Sequence, residues 1–183
     1  MNRRTVRSWE TIGVLFIVLA GSALHFVFEW TGYWRPVAWL AAVNESVWEH
    51  FKLAFWPSLF FAVVEYAAIR KSANNFWIGK SVGLFAMPAI IGVLYYGYRA
   101  LIAPPGLVLN ILFFVAAAIV GQAISYRILI SGKMGHAAQW SAAALLVAMV
   151  AVFSLSSYFP PRVGLFQDPP TGGFGILETY PEH

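Results

Sequence analysis

The chain has 183 residues, of which 60% are hydrophobic and only 11% are charged. Soluble domains carry about 25% charged residues, so this composition predicts a single domain whose surroundings are largely lipid. Cysteine is absent, which excludes disulfides, thiolate nucleophiles and cysteine metal sites. The net charge of +4 is not gathered into the basic, aromatic-lined patch that binds nucleic acid, so the expected partner is the lipid bilayer.

Five apolar segments are each long enough to form a membrane-spanning helix, which needs about 20 mainly apolar residues. Turn-forming or charged residues separate these segments from one another. The predicted spans are about Thr11–Trp30, Glu45–Ile69, Phe76–Ile102, Leu107–Ile130 and Gln139–Tyr158. We therefore expect an all-α, polytopic membrane helix bundle over residues 1–158, followed by an irregular C-terminal tail over residues 159–183.

The distribution of basic residues predicts the orientation, because Lys and Arg gather on the cytoplasmic side of membrane proteins. With a cytoplasmic N-terminus, the outer side carries only Arg35, Arg99 and Arg162, while Lys52 lies within a helix. The inner side then carries Arg3, Arg4, Arg7, Arg70, Lys71, Lys80, Arg127 and Lys133. We expect a multi-pass protein of the cell (inner or plasma) membrane, with its N-terminus cytoplasmic and its C-terminus extracytoplasmic.

Two polar clusters occur at the predicted extracytoplasmic ends of the first two helices. Ionisable groups inside a bilayer are costly, so they indicate a functional site by default. His25 and Glu29 are four residues apart and share one helix face. The second helix opens with the block Asn44-Glu45-Ser46-Val47-Trp48-Glu49-His50-Phe51-Lys52. Because both clusters have the same predicted depth, we expect them to meet in one polar pocket.

Helical geometry predicts how this block is arranged. Asn44 is expected to cap the second helix, since its side chain can accept a free backbone N–H of the first turn. One stripe of the helix should hold Glu45, Glu49 and Lys52, with Trp48 beside it, and a different face should hold Ser46 and His50. Lys52 lies about 12 Å below the start of the block. At that depth it needs a partner, for which Glu49 and Glu29 are the candidates.

Several functions could use such a pocket. The candidate catalytic residues are His25, Glu29, Glu49 and His50, which could perform acid–base chemistry on a lipid-like or outer substrate. The candidate metal ligands are His25, Glu29 and Glu49, since imidazole and carboxylate suit Zn, Fe or Mn, although no HExxH spacing is present. The cofactor would then be a divalent metal. Ligand-binding or charge-network roles are assigned to Asn44, Glu45, Ser46, Trp48, Lys52 and Asp168.

Two alternatives to a binding or enzyme-like pocket stay open. A small ion, proton or solute transporter could use the same charges as a path, and a purely structural network could lock the first helix to the second. Transporters commonly show paired repeats and broken helices in both halves, and no repeat is evident in this sequence. The predicted inner half offers mainly Glu65, which we expect to pair with Arg70 or Lys71.

The tail is too rich in proline and glycine to form a sixth helix. It is also too apolar for a purely disordered segment. Its run Asp168-Pro169-Pro170-Thr171-Gly172-Gly173 is suited to tight turns. We expect residues 159–176 to fold back over the outer face and cover the pocket, with Asp168 or Arg162 reaching Lys52 or Glu45, and the last few residues to be loose.

Three blocks of sequence resemble a family of small bacterial integral membrane proteins, DUF6512. They are His25-Phe26-Val27-Phe28-Glu29-Trp30, the block from Asn44 to Lys52, and the tail segments Phe159-Pro160-Pro161, Leu165-Phe166-Gln167-Asp168-Pro169 and Thr171-Gly172-Gly173-Phe174-Gly175-Ile176. The order is the same over nearly the whole chain, with Phe174 where the family pattern has tyrosine. The resemblance implies a membrane location and carries no activity with it.

Overall fold

The computed structural model describes residues 2–178 and Tyr180, and within these residues the chain is all helical, as predicted. Five helices are long and apolar enough to cross a membrane. Their bounds are α1 Arg3–Trp30, α2 Val47–Ile69, α3 Phe76–Leu101, α4 Leu107–Leu129 and α5 His136–Leu155. This is the pattern of a multi-pass membrane protein. The predicted looseness of the last few residues concerns mainly positions 179 and 181–183, which lie outside the described residues.

Three helix starts differ from the sequence prediction, and α5 begins at His136 rather than Gln139. Helix α1 begins at Arg3 rather than Thr11, because the Asn2 side chain caps it by accepting the backbone N–H of Thr5 at 3.3 Å. This places Glu10 inside a helix. Helix α2 begins at Val47 rather than Glu45, and its cap is Ser46 rather than Asn44.

The physical reason is that the Asn44 side chain is engaged elsewhere. Its carbonyl oxygen accepts the backbone N–H of Ser46 at 2.8 Å, which forms a local turn instead of a helix cap. The Ser46 hydroxyl then accepts the backbone N–H of Glu49 at 3.3 Å and starts the helix two residues later than predicted. Glu45 therefore lies before α2, and it does not share a helical stripe with Glu49.

Helix α2 packs between α1 and α3, α4 packs against α1 and α3, and α5 packs against α3. Small residues allow α3 and α4 to approach closely. A Cβ atom added at Gly83 would lie 2.9 Å from the carbonyl oxygen of Gly121, so a larger residue would push these helices apart. The core at this level contains Phe55, Leu84 and Met87.

The outer surface of the bundle is strongly apolar. Large side chains are exposed on every helix, including Leu19 on α1, Val63 on α2, Val93 on α3, Leu112 on α4 and Val147 on α5. Soluble monomers rarely expose continuous apolar surface of this extent. A lipid environment removes the cost of that exposure.

The alternation of five helices gives the bundle two ends. At the end that we call the tail end, α1 and α5 finish and α2 begins; at the other, the N-terminal end, α1 begins and α2 finishes. The tail packs across the tail end: Phe166 stacks on Trp48 at 4.5 Å, and the backbone N–H of Ile176 donates to Ser157 at 3.2 Å. Gly175 has a φ of +62°, and a Cβ atom there would lie 2.5 Å from the Ser157 carbonyl oxygen. Only glycine fits this close crossing.

Candidate functional site

A cavity of about 260 Å³ opens at the tail end between α1, the segment before α2, and the tail. Polar side chains line part of its wall. They are His25, Glu29, Tyr33, Asn44, Glu45, Asp168, Thr171 and Tyr180. Helix α1 and the tail thus contribute to one cavity, and the two clusters of the sequence analysis meet in it only in part.

Three side chains converge beside this cavity: His25 from α1 and Glu45 from the segment before α2 line it, and His50 from α2 lies next to them. One potential ligand atom from each lies within 4.8 Å of the other two. The Nε2 atom of His25 is 3.7 Å from one Glu45 carboxylate oxygen, and the Nε2 atom of His50 is 3.6 Å from the other. These separations are too long for hydrogen bonds, so the three groups surround a small space without closing it.

A backbone carbonyl one helical turn earlier fixes the orientation of the His50 ring. Its Nδ1 atom lies 2.9 Å from the carbonyl oxygen of Ser46. A carbonyl oxygen can only accept, so Nδ1 carries the proton of the neutral ring and Nε2 presents its lone pair towards Glu45. Metal-binding histidines are commonly oriented in this way. Ser46 therefore contributes through its backbone rather than through a side chain in the pocket.

The imidazole ring of His25 lies beside that of His50, with the ring centroids 5.3 Å apart. Its Nδ1 atom is buried and has no hydrogen-bond partner within residues 2–178 and Tyr180. Glu29 lies one helical turn further along α1, is exposed, and lines the cavity outside the converging three. The predicted ligand trio His25, Glu29 and Glu49 is thus not the set that the fold brings together.

The tail holds Glu45 in place through Asp168, which is buried. One Asp168 carboxylate oxygen accepts the backbone N–H of Glu45 at 2.9 Å. The other accepts the backbone N–H of Thr171 at 3.1 Å, which closes a turn of the tail. Asp168 therefore reaches the pocket as a backbone acceptor and not as a charge partner of Lys52 or Glu45, and Arg162 is exposed.

Tyr180 closes another side of the cavity. Its ring stacks on Tyr33 with centroids 4.3 Å apart, and its hydroxyl oxygen accepts the backbone N–H of Leu177 at 2.8 Å. Burial raises the pKa of Tyr180 above its ordinary value, and the nearby carboxylates of Glu49 and Asp168 add to this rise. The hydroxyl group therefore stays neutral, so Tyr180 offers the cavity a hydrogen-bonding group without charge.

Glu49 and Lys52 do not face this cavity; they form a separate, buried network with Ser157. The Lys52 ammonium lies 2.5 Å from Glu49 Oε2 and donates to Ser157 Oγ at 2.6 Å and to the Ala38 carbonyl at 2.8 Å. Ser157 in turn donates to Glu49 Oε1 at 2.7 Å, and the backbone N–H of Val43 donates to Glu49 Oε2 at 3.1 Å. Every proton of the ammonium has an acceptor, and the pair is neutral.

Trp48 also has a packing role. Its ring stacks between Phe153 at 4.8 Å and Phe166 at 4.5 Å, and its Nε1 atom donates to Ser156 Oγ at 2.6 Å. Asn44 also contacts the tail, since its side-chain amide donates to the Gly175 carbonyl at 2.8 Å. These residues attach the tail to the bundle, so Trp48, Glu49 and Lys52 support the cavity without lining it.

A second polar cluster, which the sequence analysis missed, lies near the N-terminal end. Lys80 of α3 is 2.8 Å from Glu10 of α1 and 2.5 Å from Glu65 of α2. Ser125 of α4 also donates to Glu10, at 2.8 Å. The prediction that Glu65 pairs with Arg70 or Lys71 is wrong: Glu65 lies inside the bundle, and its partner comes from the next helix. The sequence analysis began α1 at Thr11 and left Glu10 outside the helix, whereas the structure places Glu10 inside α1 at the level of Lys80.

Five apolar helices, a cavity at one end and buried ionic clusters at both ends define a small helical protein of the multi-pass membrane class. The chain belongs to the family of unknown function DUF6512, whose family model matches residues 1–176. This confirms the resemblance seen in the sequence. Comparisons with curated proteins and with solved structures give no match.

Proposed function

We propose that this protein is an integral protein of the cell membrane that binds a divalent metal ion in its tail-end cavity, through His25, Glu45 and His50. The observation that carries the proposal is the convergence of two imidazole nitrogens and one carboxylate within 4.8 Å. Two histidines and one carboxylate are the ligand set of many catalytic zinc and non-haem iron sites.

The spacing of the three groups supports a metal rather than direct pairing. Ligand atoms about 2.0 Å from a tetrahedral Zn²⁺ ion lie about 3.3 Å from each other. One Glu45 oxygen lies 3.7 Å from His25 Nε2 and the other lies 3.6 Å from His50 Nε2, so each imidazole has one carboxylate oxygen near that separation. A small rotation of each side chain would therefore complete three sides of a coordination shell.

Three protein ligands leave one coordination position free, which is typical of catalytic rather than structural zinc sites. That position is available to a ligand in the cavity, where Glu29, Thr171 and Tyr180 supply further polar groups. The proposed activity is therefore binding of, or acid–base chemistry on, a small or lipid-like ligand next to the metal. The exposed Glu29 is the candidate proton acceptor.

Metal analysis of the purified protein tests this proposal. After stripping and reloading with Zn²⁺, the wild-type protein should retain about one ion per chain. His50→Ala and Glu45→Gln should lose it. His136→Ala is the matched control, because His136 is exposed at the start of α5, far from the cavity. Equal zinc content in all four proteins, or none in the wild type, would overturn the proposal.

We further propose that the tail end is extracytoplasmic. The loops and termini at the N-terminal end carry Arg3, Arg4, Arg7, Arg70, Lys71, Arg127 and Lys133, and the tail end carries Arg35, Arg99 and Arg162. This bias favours a cytoplasmic N-terminus. Reporter fusions at Lys133 and Glu178 should report opposite sides of the membrane. Reporting on the same side would contradict the five-span topology.

A further inference from the structure

The cluster of Glu10, Glu65 and Lys80 carries one charge too many. All three side chains are buried, with exposed fractions of 4%, 0% and 1%. Two carboxylates and one ammonium, all ionised, leave a net charge of −1. A buried charge without compensation is expensive, and such groups usually change protonation state or bind a counter-ion.

The surroundings do not supply the missing positive charge. On α1, Arg7 lies one turn before Glu10 but is exposed, and α4 carries the neutral phenol Tyr126 and the exposed Arg127; neither arginine forms an ion pair with the cluster in the described residues. The remaining contacts from α4 are neutral: the Ser125 hydroxyl donates to the Glu10 carboxylate, and the Gln122 amide donates to the Glu10 backbone carbonyl. Helix α5 carries one ionisable side chain, His136, which is exposed at its first residue.

Two carboxylate oxygens in the cluster are free. Glu10 Oε1 accepts from both Lys80 and Ser125. In contrast, Glu10 Oε2 and Glu65 Oε1 are buried and have no hydrogen-bond partner in the part of the chain that the structure describes. Buried polar atoms are almost always hydrogen-bonded. Two free acceptors beside a surplus negative charge indicate a missing proton or cation.

A groove gives access to the cluster. It has a volume of about 630 Å³, lies between α1 and α4, and is lined by Glu10 and Gln122 together with apolar residues such as Val14 and Ile119. Arg7 and Tyr126 lie on its wall as well. Glu10 thus connects the surface of the bundle with Glu65 and Lys80, which lie deeper.

We propose that Glu10, Glu65 and Lys80 form a binding site for one exchangeable proton, held by the two carboxylates. The proton binds a free carboxylate oxygen, and the resulting carboxylic acid offers a donor where the folded chain otherwise has none. The cluster is then neutral. A hard metal cation such as Ca²⁺ takes about six to eight oxygen ligands, and two free oxygens are too few for it.

The site lies at the opposite end of the bundle from the metal-binding cavity, so this inference does not depend on the proposed function. Protonatable carboxylates within membrane-spanning segments are typical of proton paths in pumps and transporters. In the proposed orientation the groove admits protons from the cytoplasmic half of the membrane. The chemical event is reversible binding of H⁺, with no bond other than O–H formed or broken.

Infrared difference spectroscopy of the purified full-length protein, titrated with acid and base, tests the proposal. The wild-type protein should show the C=O band of one protonated carboxylic acid at neutral pH, and the band should disappear on alkalinisation. Glu65→Gln should lack the band, because the remaining Glu10–Lys80 pair is neutral. Glu178→Gln, at an exposed position in the tail, is the matched control and should keep it.

Other results would decide against the site. A wild-type protein without the band, or a band that persists in both Glu65→Gln and Glu10→Gln, would overturn the proposal. Glu10→Gln also serves as the second variant if Glu65→Gln does not fold. If Na⁺ abolishes the band at constant pH, the site binds an alkali cation in preference to a proton. Persistence of the band in His50→Ala would show that it is independent of the metal site.

Discussion

The two buried lysine clusters contain the same types of charged residue, but they differ in how many of their charged atoms have a hydrogen-bond partner. At the tail end, Lys52 has three acceptors and pairs with one carboxylate, Glu49, whose oxygens are both hydrogen-bonded. At the N-terminal end, Lys80 faces two carboxylates, and each keeps a free oxygen. A satisfied network makes a rigid joint, whereas an unsatisfied one has the capacity to take up a ligand.

The difference follows from what surrounds each cluster. Around Lys52 the chain is irregular, so the backbone groups of Ala38 and Val43 are free to bond with side chains. Around Lys80 all neighbours lie inside regular helices, where the backbone groups are already paired. Side chains alone must then satisfy the charges, and beyond the cluster itself the described helices supply only the Ser125 hydroxyl, because the Gln122 amide donates to the backbone carbonyl of Glu10.

The largest effect is expected at the tail-end cluster. Glu49→Gln leaves the Lys52 ammonium buried without a counter-ion, which typically destabilises a protein by about 3–5 kcal/mol. The melting temperature in detergent should fall sharply. Glu29→Gln is the matched control, since Glu29 is exposed and has no ion pair within the described residues. A melting temperature of Glu49→Gln equal to that of the control would show that the network does not stabilise the joint.

An intermediate effect is expected where the tail meets the same cluster. Gly175→Ala places a Cβ atom 2.5 Å from the Ser157 carbonyl oxygen at a position with a φ of +62°, and strained backbone of this kind costs about 1–3 kcal/mol. The tail should then detach, and trypsin should cleave at Arg162 faster than in the wild type. Gly164→Ala is the control, because its Cβ would meet no atom within 4 Å. Equal cleavage rates would show that the crossing at Gly175 is dispensable.

The smallest effect is expected for Glu65→Gln, although Glu65 is as deeply buried as Glu49. The substitution removes the surplus charge, and Lys80 keeps Glu10, so the free energy of unfolding should change by no more than about 1 kcal/mol. A carboxylic acid that must release its proton destabilises the folded state as the pH rises. The wild-type melting temperature should therefore fall with rising pH, and that of Glu65→Gln should fall less. A loss of stability in Glu65→Gln as large as that in Glu49→Gln would show that both clusters stabilise the fold equally and would contradict this comparison.

The fold was largely predictable, because each span is a long apolar run between turn-forming residues. The sequence also placed His25 and His50 at one end, where α1 finishes and α2 begins, and the structure puts their rings 5.3 Å apart. The roles of Glu45 and Glu49 were not separable from the sequence. A turn at Asn44 moves the start of α2 beyond Glu45, and a continuous helix would have kept both on one stripe.

The Lys80 cluster was not predictable by the same reasoning. Glu10 and Lys80 are 70 positions apart in the chain, and the contact arises from the packing of three helices rather than from any local pattern. Lys80 also lies only one turn inside α3, where a basic residue ordinarily reaches the membrane surface. Only the close approach of α1, α2 and α3 turns it inwards.

The attachment of Glu45 to Asp168 has a consequence for biosynthesis. His25 lies in the first helix, whereas Asp168 follows the last one, so the cavity wall combines early and late parts of the chain. While the ribosome is still making α5, the segment that holds Glu45 lacks its hydrogen bond to Asp168. The site can therefore acquire its final geometry only after translation has passed the tail, and a prematurely terminated chain would insert its helices without a finished cavity.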